Sequence, residues 1–99
     1  MKECPIFSLE MLAKPIDLQL EDEGLDFGRA KKKADETVEN LVGEAMLLAW
    51  YVARTGEYAP DIPCCQTDKP PWLAYAQSRG GNLAVVINNG DYVFIYRQL

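Results

Sequence analysis

The sequence predicts a single α+β domain over residues 1–99. It is a small antiparallel sheet, ending in a C-terminal β-hairpin, packed on one long and one short helix. Three observations predict this class. A helical apolar period runs through residues 26–55. An Asn89-Gly90 pair separates two β-rich runs near the end of the chain. The 99 residues, 48% apolar and 25% charged, suffice for one hydrophobic core and leave no room for a second.

In the first fifteen residues, Ile6, Phe7, Leu9, Met11 and Leu12 read as a short strand and a helical turn that Pro15 closes. Ile16-Asp17-Leu18-Gln19-Leu20 alternates strictly, the pattern of a half-buried strand. Glu21-Asp22-Glu23-Gly24 follows as a solvated turn; it lacks the spacing and closing glutamate of a calcium loop.

From Asp26 to Thr55 the sequence predicts a long helix, with Asp26 as N-cap, Arg54 in the last turn and Gly56 just beyond it. At 100° per residue, Ala30, Ala34, Val38, Leu41, Ala45, Leu48, Ala49 and Val52 fall on one face. Arg29, Lys33, Glu36, Asn40 and Arg54 form a solvent stripe opposite. Leu47, Trp50 and Tyr51 lie in that same stripe and call for a cover, either the 57–72 loop or another subunit. Such a helix extends about 43 Å at 1.5 Å per residue, whereas a domain of this size has a radius of gyration of about 13 Å. It therefore either breaks, near Gly43 or in the lysine run, or overhangs its domain and ends in a dimer.

Residues 57–71 carry four of the six prolines and read as a stiff loop. Pro71 opens a short helix from Trp72 to about Arg79, stopped by Gly80-Gly81. Leu83–Asn88 and Tyr92–Arg97 then flank Asn89-Gly90, the signature of a hairpin with a two-residue type I′ turn. The implied register pairs Ile87 with Tyr92, Val85 with Phe94 and Leu83 with Tyr96 on one face. On the other it pairs Val86 with Val93 and Ala84 with Ile95. The aliphatic face suits the alanine-lined helix, and the Tyr92, Phe94, Tyr96 face needs a second cover.

The chain has no histidine, which excludes histidine acid–base catalysis, Ser-His and Cys-His nucleophile pairs and histidine metal sites. Its net charge of −5 sits in the first quarter, where seven acids face only Lys2 and Lys14. That quarter repels nucleic acid and anionic membranes, so neither is expected as a partner. Three cysteines, Cys4, Cys64 and Cys65, make no disulfide framework and read as reduced thiols. With no signal peptide and no apolar run of spanning length, the expected location is the cytoplasm.

Adjacent cysteines diverge and lack the C-x₂₋₄-C spacing of zinc sites, so Cys64-Cys65 reads as two small thiols in a proline-rich loop. Lys31-Lys32-Lys33 reads as a solvated turn with i,i+4 pairs Lys31–Asp35 and Lys32–Glu36. Gly80-Gly81 follows a helix rather than preceding one, which is a C-cap and the wrong polarity for phosphate. No residue is expected to be catalytic or metal-binding, and no cofactor is expected.

The favoured function is a non-enzymatic protein-interaction module acting as a homodimer or on another protein, with Leu47, Trp50, Tyr51, Tyr92, Phe94 and Tyr96 as interface. The alternative is a small-ligand or metal-binding domain on loop 57–71, using Trp50, Tyr58, Cys64, Cys65, Trp72 and Tyr75. An enzyme using Glu44, Glu57 or Asp61 as acid or base ranks last, because no paired geometry supports it.

Overall fold

The expected 26–55 helix is two elements, a helix and a strand. In the computed structural model, which describes residues 12, 15–21, 24–60 and 70–99, helix α1 spans Phe27–Val42. Asp26 caps its start, its carboxylate accepting from the Arg29 N–H at 2.9 Å. Gly43, at φ +83°, ends it, with its N–H donating to the Glu39 carbonyl at 2.9 Å. Strand β2 (Ala45–Val52) begins two residues later.

The reason the strand resembles helix lies in its pairing. β2 runs antiparallel to the C-terminal strand, and the register shifts between Leu47 and Ala49, a bulge at Leu48. Ala45, Leu47, Trp50 and Val52 therefore share one side of the sheet, while Leu48, Ala49 and Tyr51 share the other. A strict strand keeps a period of two; here the step from Leu47 to Trp50 is three. The bulge imprints a helix-like spacing on a strand that is apolar on both sides.

The remaining elements are β1 (Ile16–Leu18), β3 (Glu57–Ala59), α2 (Pro71–Ser78), β4 (Leu83–Ile87) and β5 (Tyr92–Gln98). The five strands form one sheet in the order β1-β4-β5-β2-β3. All neighbours are antiparallel except β1, which lies parallel to β4, so the sheet is mixed rather than purely antiparallel. Among the described residues the Cα radius of gyration is 13.0 Å. Gly56 turns β2 into β3 instead of closing a helix; its N–H donates to the Val52 carbonyl at 2.8 Å.

The helices cover opposite faces, and their assignment reverses the expected one. α1 lays Ala30, Ala34 and Val38 over Val85, Ile87, Tyr92, Phe94 and Tyr96. Two alanines with no exposed surface let the helix sit close over bulky rings. α2 instead covers the aliphatic face, packing Trp72, Leu73 and Ala76 with Val86, Val93 and Ile95. α2 starts on Pro71, as expected from the missing N–H, and closes where the Gly81 N–H donates to the Ala76 carbonyl at 2.8 Å. A Cβ at Gly81 would lie 2.8 Å from that same oxygen and 2.9 Å from a methyl of Ile95.

The β4–β5 register matches the sequence expectation pair for pair. Its turn does not: Asn88, Asn89 and Gly90 all have positive φ, so the ladder closes at Ile87–Tyr92 over a four-residue loop. Asn88 leaves the ladder because its side chain is engaged elsewhere. Its Oδ1 accepts from the Leu20 N–H at 2.7 Å and its Nδ2 donates to the Leu20 carbonyl at 3.2 Å. The amide thus extends the β1–β4 pairing by one peptide-like step.

Candidate functional site

The expected interface residues are dispersed by the sheet. Trp50 points toward α1, 4.6 Å from the Phe27 ring centroid, whereas Tyr51 points the other way and stacks on Trp72 at 5.2 Å and 7°. Leu47 packs beside Trp50 under α1. Tyr92, Phe94 and Tyr96 are buried, and the cover they required is α1 of the same chain.

The expected ligand set does not converge either. Tyr58 and Trp72 join the α2 side, Tyr75 carries the Arg79 guanidinium 5.1 Å from its ring, and Trp50 lies across the sheet from all three. Cys4, Cys64 and Cys65 lie outside the described residues. Among the described residues no group of three cysteine, aspartate or glutamate side chains is placed to hold a metal ion. No described helix is long and apolar enough to cross a membrane.

What the fold does assemble is the flank where α1 turns into β2. β3 pairs only with Trp50, Tyr51 and Val52. The outer edge of Ala45–Ala49 therefore has no strand partner among the described residues. Met46, on this open stretch, is 45% exposed; Leu41 at the end of α1 and Leu99 beside Glu44 are 61% and 67% exposed. Between this edge and α1 runs a groove of about 570 Å³, floored by Val38, Ala45, Leu47 and Tyr96 and rimmed by Lys31, Asp35, Glu39 and Glu44.

Three of these side chains form a chain of contacts. The Tyr96 hydroxyl donates to Asp35 Oδ1 at 2.5 Å, and Lys31 Nζ donates to Asp35 Oδ2 at 2.8 Å. The expected Lys31–Asp35 pair is thus present, while Glu36 pairs with Lys33 at 3.8 Å rather than with Lys32. Burial, then the hydrogen bond to Asp35 and its negative charge, push the Tyr96 phenol well above its ordinary value. The phenol stays a donor at every physiological pH.

This arrangement carries a pH prediction. A folded-state pKa raised above the unfolded value of about 10 supports stability below that pH and withdraws it as pH rises further. Tyr96→Phe is therefore expected to flatten the alkaline loss of stability. Urea midpoints followed from pH about 8 to about 11 check this; equal slopes for both proteins would refute it.

Three comparisons bear on the chain. The profile of a family described as a domain of unknown function (DUF5619) matches residues 13–96. An uncharacterized protein of Archaeoglobus fulgidus is 32% identical over 66 residues, covering 64% of this chain and 70% of the relative. The crystal structure of the protein AF1514 from Archaeoglobus fulgidus DSM 4304 superposes with a TM-score of 0.76. It has 28% sequence identity and covers 89% of this chain and 96% of that one.

Proposed function

The chain belongs to the DUF5619 family, domains of unknown function, and we propose that it is a non-enzymatic protein-interaction module that pairs with a second copy of itself through the open edge of β2. The observation that carries this reading is the outer edge of Ala45-Met46-Leu47-Leu48-Ala49, which has no strand partner among the described residues. A strand edge presents a row of N–H and C=O groups that template another strand. This edge is uncharged along its length, and it lacks the lysine or proline with which monomeric proteins blunt such edges. A second β2, added antiparallel about a twofold axis, would satisfy both copies at once, as an isologous contact requires.

The alternative, a small-ligand domain on loop 57–71, is the weaker reading because Trp50 and Trp72 lie on opposite faces of the sheet.

Melting temperature against concentration tests the proposal. Over roughly a hundredfold range the wild-type value should climb, because association stabilises the folded state by mass action. Met46→Lys places a cation on the edge and should melt at one temperature throughout, with the fold itself shifted by no more than about 0.5 kcal/mol. A concentration-independent wild type would overturn the reading.

A further inference from the structure

In an antiparallel ladder, successive residues turn their N–H and C=O groups alternately toward one neighbouring strand and the other. Hydrogen bonds fix this alternation along β2. The Leu99 N–H donates to the Glu44 carbonyl at 3.0 Å, one step before the Ala45–Gln98 pair. Glu44 therefore faces β5, and Ala45 and Leu47 face away from it. Their partners on β5 agree. The Tyr96 carbonyl accepts from the Asn82 N–H at 3.0 Å, and the Gln98 N–H donates to Asn82 Oδ1 at 3.1 Å, both away from β2. Ala45 and Leu47 thus direct their backbone groups to the open edge.

This edge is bounded at both ends. Gly43, at φ +83°, is no longer extended, and its N–H is bonded to the Glu39 carbonyl. Past the bulge the alternation is reset. The Ala53 N–H donates to the Asp91 carbonyl at 3.0 Å, so Tyr51 and Ala49, two and four residues earlier, also face β5. The open stretch therefore offers the N–H and C=O of Ala45 and of Leu47, with Met46 between them facing inward.

Resting on the reading of β2 as a self-pairing edge, we propose that the twofold axis of the dimer passes through Met46. Ala45 of each copy then pairs with Leu47 of the second copy, and the two Met46 side chains touch. An axis at Ala45 pairs that residue with its own copy but sets Leu47 against Gly43. An axis at Leu47 sets Ala45 against Ala49, whose groups face β5. An axis at Met46 alone engages every outward group, because it matches Ala45 with Leu47 twice. The Met46 pair is then of the non-hydrogen-bonded kind, with Cα atoms about 4.5 Å apart and side chains at their closest. Met46 is 45% exposed and lies on the face opposite Ala45 and Leu47. Trp72 of α2 stacks on Tyr51, about 16 Å along β2 from Met46, and the axis carries the second α2 to the opposite end. An unbranched thioether adapts readily to a copy of itself.

Opposite charges at one position test this. Met46→Lys and Met46→Glu are prepared separately, one of them isotopically labelled, and native mass spectrometry reads each dimer by its mass. Each variant alone should dimerise at least tenfold more weakly than wild type, because like charges meet on the axis. Mixed together, they should form a heterodimer that outweighs both homodimers, since a lysine then faces a glutamate. With the axis at Ala45, position 46 would instead face Glu44 of the second copy, and Met46→Lys would dimerise at least as well as wild type. That result, or a mixture no stronger than the single variants, would overturn this register while wild-type dimerisation persists. A wild type that is monomeric throughout would overturn both the register and the β2 pairing.

Discussion

Phe94→Ala is expected to lower the unfolding free energy by about 3–5 kcal/mol, the cost of a large buried ring and the cavity it leaves. Phe94 has no exposed surface and packs 5.7 Å from the Phe27 ring, beneath α1 and beside Trp50. Domains of this size are stable by about 5–15 kcal/mol, so the change removes a large share of the total. It separates two accounts of the aromatic face. If Tyr92, Phe94 and Tyr96 formed a surface for partners, truncation would spare the monomer and weaken association. Because α1 covers them, the monomer itself should suffer. Urea denaturation checks this, and a loss below about 1 kcal/mol would mean that α1 is not seated on these rings.

Trp72→Ala is expected to cost a similar amount, about 3–5 kcal/mol, from the opposite face. Trp72 is 1% exposed, stacks on Tyr51, and sits in the cluster of Leu73, Ala76, Val86, Val93 and Ile95. Its removal unseats α2, a helix of eight residues too short to persist without tertiary packing. Trp72→Phe keeps a ring against Tyr51 and should recover much of the loss. Thermal unfolding of the three proteins measures the series, at about 4–8 °C per kcal/mol. Equal melting temperatures for wild type and Trp72→Ala would show that α2 contributes little to this face.

Much of this fold is legible in local chemistry. Asp26, the Ala30–Ala34–Val38 stripe, Pro71 and Gly80 mark the helices because capping, period and missing donors act within a few residues. The β4–β5 register follows from where the apolar runs meet the Asn89-Gly90 turn. β2 is hidden by the bulge at Leu48, which gives a strand the spacing of a helix; Gly43, one of the two expected break points, is where the helix gives way to it. The longer turn at Asn88 depends on Leu20, 68 residues away, which no local rule contains. The Lys31–Asp35 pair is readable from its i,i+4 spacing, but the Tyr96 hydroxyl arrives from 61 residues along the chain. The open edge is harder still. Among the described residues β3 pairs with β2 over only three residues, and strand length at a sheet edge is decided by pairing rather than composition.

The central claim is that β2 carries a second copy of this chain. Native mass spectrometry of the reduced, untagged protein at two concentrations tests it most directly. The account predicts a dimer of about twice 11.1 kDa that gains on the monomer at the higher concentration, and a monomer for Met46→Lys at both. A wild type that remains monomeric at both concentrations would contradict it.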